Sequence, residues 1–303
     1  MIAFFYEMVR NLKRKNRSVW KPVYKLNKVL VNLLYPISQI HKKEIGIDAD
    51  SNIIVSITSF PDRIKTVWIA VASLLNQTKK PYKVILWLAE EQFPGREIPK
   101  SLLRLRERGL EICFGEDLKP HKKYFYTMQK YPEYFVITAD DDIFYPENHI
   151  EQLWKSYTAH PDTIICQWSH LIGIDEQGEF QPYNSWTNNH ISKPLYRTLA
   201  VGCNGILYPP GSIPKEAFAQ EDIIRNALFT DDLWLKCMEI KNGRKTVNCN
   251  ETILIYFNIL SARKSGLWKR NTGHAQENDK VWNRLMQLYP DVKDKLLEES
   301  QRK

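Results

Sequence analysis

Three consecutive carboxylates, Asp140-Asp141-Asp142, follow the apolar run Phe135-Val-Ile-Thr-Ala. Carboxylates this close repel one another and need a counter-charge. Mn²⁺ or Mg²⁺ supplies it, because hard divalent cations prefer oxygen ligands. Alternate residues leaving a strand point to opposite sides. Asp140 and Asp142 are therefore expected to face one way and Asp141 the other, so that one carboxylate takes a metal while another meets ligand hydroxyls. An acidic surface turn would read the same in letters, but a buried strand delivers the triplet to a fixed place. A second pair, Asp231-Asp232, follows Phe229-Thr230. A carboxylate there can take a proton from a hydroxyl as a general base. The pair can equally serve the first turn of a helix capped by Thr230, and the two roles are compatible.

Other residues have weaker claims. Arg63 and Lys123 fall near predicted strand ends and are candidates for anion contact, with Lys122, Arg263, Lys264, Lys269 and Arg270 behind them. Gly202-Cys-Asn-Gly205 is either a loop whose glycines let backbone approach a ligand or an ordinary hairpin turn. Tyr183, Trp186 and Trp168 present apolar ring faces on which a ligand could stack, with core packing the default for Trp168.

These groups need a scaffold, and the pattern provides one. Strands are predicted at 52–58, 83–88, 110–114 and 134–139, with helices over 67–75, 101–108 and 122–130 between them. Strand–helix alternation argues for an α/β fold with a mostly parallel central sheet flanked by helices. Ligands bind such sheets beyond the carboxyl ends of the strands, where the triplet lies. Further on we expect strands at 164–168, 205–208 and 252–257, a long loop over 173–195, and helices over 216–228 and 231–241. Asn242-Gly243 is a stop signal, and a helical tail runs from Asn278. The expected division is a basic helical N-terminal segment (1–50), a main domain (51–275) and a C-terminal tail (276–303).

The 303 residues are 43% hydrophobic and include nine tryptophans, which fits a sizeable core. The net charge of +8 is concentrated: residues 1–45 hold ten Lys or Arg against Glu7 and Glu44, and the remainder is neutral. A basic amphipathic segment can lie on an anionic membrane surface, bind nucleic acid, or pack on its own domain. The neutral main domain gives no reason to expect nucleic acid. No apolar run approaches the ~20 residues that span a bilayer, and no secretion signal is read at the start. The five scattered cysteines form no CxxC pair, which fits packing in a reducing compartment. GxGxxG, Walker, HExxH and GxSxG motifs are absent.

Four segments together resemble a glycosyltransferase of the GT-A (Rossmann-like) fold, similar to the family 2 type of bacterial polysaccharide biosynthesis. They are Ile54-Val-Ser-Ile-Thr-Ser-Phe-Pro-Asp-Arg, Ser73-Leu-Leu-Asn-Gln-Thr, Thr138-Ala-Asp-Asp-Asp-Ile-Phe-Tyr-Pro and Phe229-Thr-Asp-Asp-Leu-Trp-Leu. The resemblance implies a nucleotide-sugar donor, a UDP-sugar first, bound by Thr58, Phe60, Arg63, Lys123, Asp140, Asp141 and Gly205. It implies Mn²⁺ or Mg²⁺ on Asp142 and Asp140, with the late His274 completing the shell. It implies an inverting hexosyl or N-acetylhexosaminyl transfer with Asp232, or Asp231, as base. The acceptor would be a glycan or lipid-linked glycan, and the location cytoplasmic, peripheral at the inner face of the cell membrane. Two departures mark a divergent branch. Trp87-Leu-Ala-Glu-Glu stands where the family has an acidic residue after its second strand, and the Gln-x-x-Arg-Trp acceptor motif is missing. A metal-dependent nucleotidyltransferase and a non-catalytic glycan- or nucleic-acid-binding protein are the alternatives.

Overall fold

The computed structural model describes residues 1–15, 19–187, 190–249, 256–262 and 277–301. Its centre is a seven-stranded sheet built on β1 (Ile53–Thr58), β2 (Lys83–Ala89), β3 (Leu110–Gly115) and β4 (Phe135–Ala139). β1 pairs in parallel with β2 on one side and with β4 on the other, so Ile57 lies opposite both Leu86 and Ala139. β3 extends the sheet beyond β2. Past β4, β9 (Ile206–Tyr208) runs antiparallel, followed by β6 (Ile164–Cys166) and β10 (Thr246–Asn248). The order is β10-β6-β9-β4-β1-β2-β3. The sheet is thus mostly parallel, as the alternation predicts, with β9 the reversed strand.

β1 is buried almost throughout because both faces of the sheet are covered. Its side chains still alternate. Ile53, Val55 and Ile57 join the larger core cluster, and Ile54 faces the other way onto Ile85 and Trp87. Helix α3 (Val67–Leu74) returns the chain from β1, α4 (Lys100–Arg106) leads into β3, and α5 (Lys122–Lys130) leads into β4. Helix α6 (His149–Ala159) leads to β6. Beyond β9 come α7 (Gln220–Asn226) and α8 (Asp231–Lys241), then the tail helices α9 (Glu277–Leu288) and α10 (Pro290–Gln301). Trp234 on α8 and Trp282 on α9 fill the second core cluster.

The basic segment forms α1 (Ile2–Lys15) and α2 (Trp20–Gln39). Ile2, Tyr6, Val9, Val31 and Tyr35 belong to the same core cluster as β1. Glu147 accepts the Ile2 and Ala3 backbone N–H groups at 3.0 and 2.7 Å, which satisfies donors left open at the start of α1. Tyr6 then ties down a two-stranded ribbon of β5 (Ile143–Phe144) and β11 (Phe257–Asn258). It donates to the Phe144 carbonyl and accepts from the Phe257 N–H.

Some elements differ from expectation. The predicted helix over 216–228 divides into a 3₁₀ turn (Lys215–Phe218) and α7, because Ala219 at their junction is extended. Residues 173–195 contain a 3₁₀ turn at Tyr183–Ser185 and the bridge Ile174–Phe180 rather than a bare loop. The ribbon β7 (Ser169–Leu171) with β8 (Thr198–Ala200), and the strands β5 and β10, are too short to show a period. The strand expected over 252–257 falls mainly outside the described residues. Among the described residues no helix is long and apolar enough to cross a membrane.

Candidate active site

A cleft of about 640 Å³ opens at the carboxyl ends of β1 and β4. Thr58, Ser59, Phe60 and Arg63 line it from beyond β1, and the aspartate triplet lines it from beyond β4. The start of α8 and the turn at Gly202–Cys203 form the facing wall. The triplet is held by its backbone. The Asp140 N–H donates to the Tyr145 hydroxyl at 2.7 Å, and the Asp142 carbonyl accepts from the Ile259 N–H at 2.7 Å.

The three carboxylates have different surroundings. Asp141 is buried, accepts from the Ser59 hydroxyl at 2.6 Å and pairs with Arg63 at 2.5 Å. Asp142 lies 3.3 Å from the same guanidinium, and Asp140 lies 3.3 Å from the Lys123 ammonium. Burial, together with Asp140 and Asp141, pushes the Asp142 carboxyl up to about 7. Burial works against the charge of Arg63, but Asp141 and Asp142 more than offset it. Arg63 also stacks over the Phe60 ring, 5.4 Å from its centroid. The Thr58 hydroxyl is spent inside the sheet, donating to the Trp87 carbonyl at 2.8 Å.

Lys123 joins the two acidic groups. Its ammonium lies 3.3 Å from Asp140 and 2.9 Å from Asp231, at the start of α8. Burial disfavours this charge, yet Asp140, Asp231 and Asp232 raise its pKa well above the usual lysine value. The Asp231–Asp232 pair is split as a result. Burial would raise Asp231, but Lys123 and then His121 hold it below the usual range. Burial and the neighbouring Asp231 push Asp232 up to about 8. Asp232 faces Gly202, whose N–H lies 3.2 and 3.1 Å from its two oxygens. The capping role expected of Thr230 is not made by its side chain, which donates to the Ala227 carbonyl instead.

The other predicted residues are placed as follows. Gly205 does not line the cleft; its φ is +92°, and a Cβ there would stand 2.5 Å from the His149 ring. Gly202 is the glycine at the wall. Lys122 pairs with the buried Asp117, which Lys119 also contacts and to which Gln92 donates at 2.7 Å. Tyr183 lines the cleft, whereas Trp186 packs against Trp282 in the core. His274, Arg263, Lys264, Lys269 and Arg270 lie outside the described residues. Sequence reasoning missed Asp117 and Asn258, and it held Ser59 and Gly202 only within longer segments. Asp117 had a findable signal, an acid just past the carboxyl end of a parallel strand. Asn258 had none, because β11 reaches the cleft from far along the chain.

Among the described residues no three His, Cys, Asp or Glu side chains converge as a ready metal site. Asp140 and Asp142 still fit a divalent cation whose remaining ligands come from a diphosphate. Both line the cleft, and Arg63 does not offset the burial and the neighbouring carboxylates that raise the Asp142 carboxyl. Mg²⁺ in particular is held by one or two carboxylates with substrate phosphates.

No family model and no curated protein matches the sequence. Several solved structures resemble the fold. The 1–349 portion of S. aureus TarS in complex with UDP is 14% identical, over 68% of this chain and 59% of that one, with a TM-score of 0.41. The mannosyltransferase PcManGT from Pyrobaculum calidifontis, in complex with GDP-Man and Mn²⁺, is 10% identical over 98% of this chain and 82% of its own, with a TM-score of 0.46. A CMP:2-keto-3-deoxy-manno-octonic acid synthetase complexed with CTP is 9% identical over 65% and 89%, with a TM-score of 0.37. The chain thus spans less than two thirds of the TarS portion it resembles.

Proposed function

We propose that the chain is a glycosyltransferase that moves a sugar from a nucleotide diphosphate donor, a UDP-sugar first, to a hydroxyl of a glycan or lipid-linked glycan. The observation that carries this is the bridge made by Lys123, which brings Asp140 and Asp231 into contact with one cation inside one cleft. The Asp140–Asp142 turn suits the diphosphate side and Asp232 the acceptor side. A nucleotidyltransferase would use the first acidic group and have no need of the second.

A divalent cation on Asp140 and Asp142 would act as a Lewis acid on the leaving diphosphate. The chain's own residues do the rest. Arg63 fixes Asp141 and, with Phe60, shapes the donor end. Lys123 lowers Asp231 and so leaves the proton affinity of the pair on Asp232. Asp232, oriented by the Gly202 N–H, takes the proton of the acceptor hydroxyl. The hydroxyl oxygen then forms its bond to the anomeric carbon from the far face, and the nucleoside diphosphate departs with the electron pair of the broken C–O bond. Inversion follows. Tyr183, which also lines the cleft, offers a ring to an acceptor sugar.

The test is calorimetric titration of UDP with and without Mn²⁺, on wild type and Asp142→Ala. Mn²⁺-dependent binding lost in the variant supports the reading. Absence of binding for UDP, GDP and CDP alike would sink it.

A further inference from the structure

The N-terminal helices leave an apolar face that no described part of the chain covers. Leu26, Val29, Leu33, Ile37 and Ile40 are all exposed, Leu33 at 61% and Ile37 at 64%. At the ~100° per residue of an α-helix they fall within an arc of about 80°. The opposite side of α2 carries Val31 and Tyr35 into the core. α1 is turned the other way, with Ile2, Tyr6 and Val9 all buried, so the free apolar surface belongs mainly to α2. A contiguous stripe of this kind marks an interaction surface.

We propose that this face of α2 docks on an anionic phospholipid bilayer, with the helix lying in the plane of the surface. The charge selects this occupant. Exposed Lys21 and Lys25 flank the stripe, and residues 1–45 carry ten basic residues against two acidic ones. α2 itself contains no Asp or Glu. A second copy of the chain would bring like charge to like, without the acidic partners that flank helix–helix seams. A bilayer rich in anionic headgroups meets both features, taking the apolar stripe below and the lysines at headgroup level.

The position is also useful. The inner side of α2 touches the cleft wall directly. Lys28 donates to the Asn258 side chain at 3.3 Å and Asn32 donates to the Asn258 carbonyl at 3.1 Å, and Asn258 lines the cleft. One helix, ~10 Å across, therefore separates the docking face from the site. This benefit to a lipid-borne acceptor rests on the function proposed above; the docking itself does not.

The test is sedimentation of the full chain with vesicles of phosphatidylcholine alone and of phosphatidylcholine mixed with phosphatidylglycerol. The wild type should bind the mixed vesicles, more weakly as salt rises. Leu33→Glu with Ile37→Glu should lose about tenfold or more in partitioning, and Lys21→Glu with Lys25→Glu should also lose binding. Circular dichroism and thermal melting of each variant confirm that it is folded. No binding of the wild type to mixed vesicles overturns the proposal, as does equal binding by the folded Leu33/Ile37 variant. Light scattering without lipid that shows a dimer, made monomeric by the same variant, assigns the face to a second copy instead. Vesicle binding is read without turnover, so it can stand if UDP titration fails, and the reverse.

Discussion

The Lys123 ammonium lies 2.9 Å from a carboxylate oxygen of Asp231, and Lys123 is only 5% exposed. Removing one partner of a buried ion pair leaves the other uncompensated, which costs about 3–5 kcal/mol. Lys123→Met should lower stability to urea by that order. Adding Asp231→Asn should restore part of it, and the double-mutant cycle measures the coupling. A single-variant loss of about 0.5 kcal/mol would place the pair among exposed ion pairs.

Asp232 and Asp142 should separate in kinetics. Asp232→Asn is expected to lower kcat by about 10²- to 10⁴-fold, the usual contribution of a general base, with UDP affinity nearly unchanged. Asp142→Asn should lose Mn²⁺-dependent UDP binding first. Equal effects of both substitutions on binding and turnover would deny Asp232 its assigned step.

Turnover should depend on pH through Asp232. Burial and Asp231 raise its pKa to about 8, and a base acts only when deprotonated. kcat should therefore rise with pH, about tenfold per unit below that value, and level off above it. The Asn variant should show no such limb. A wild-type profile flat across this range would contradict the assignment.

Two glycines should behave oppositely. A Cβ at Gly202 would stand 2.8 Å from the Lys123 ammonium and 2.9 Å from an Asp232 oxygen, both at the far ends of side chains rather than on backbone. Gly202→Ala should thus fold normally and lose turnover by about tenfold or more, because the displaced atoms include Asp232, the proposed base. Gly205→Ala meets a buried ring and a left-handed backbone, so it should lose about 1–3 kcal/mol of stability. Thermal melts set beside assays of both variants decide the matter.

His149 supplies an acid-stability prediction. Its ring is wholly buried, and neither nitrogen has a hydrogen-bond partner among the described residues. Burial lowers its pKa from 6.5 to about 3. The unfolded chain therefore binds a proton that the folded one refuses between these values. The contribution is fully present above the unfolded pKa and is lost as pH falls toward the folded one, at up to about 1.4 kcal/mol per unit. Stability of His149→Phe should fall less steeply than wild type over this window. Parallel slopes in urea titrations would rule the histidine out.

The parallel half of the fold was legible because each strand there is five to seven residues long and the first three are followed by a helix of recognisable period; α6, after β4, was not read. The Asp140–Asp142 turn was legible for the same reason, since a buried strand announces where its end must lie. Of the later strands, β6 and β9 were read at 164–168 and 205–208, whereas β5, β7, β8 and β10 are two or three residues long and carry no period. The partnership of Lys123 with two distant carboxylates, and the reach of α2 to Asn258, depend on tertiary closure. No local spacing encodes them. The N-terminal basic residues were read as one amphipathic unit, but the burial of Tyr6 and Val9 against exposed Leu33 and Ile37 shows two helices with opposite allegiances.

Six carboxylates and four cationic side chains line the cleft among the described residues. A bare diphosphate approaching this wall meets net repulsion at the end where Asp140, Asp141 and Asp142 converge. The same diphosphate already neutralised by a divalent ion does not. On the function proposed above, the converging Asp140, Asp141 and Asp142 would favour a donor that enters as its metal salt and a spent nucleotide that leaves in the same company.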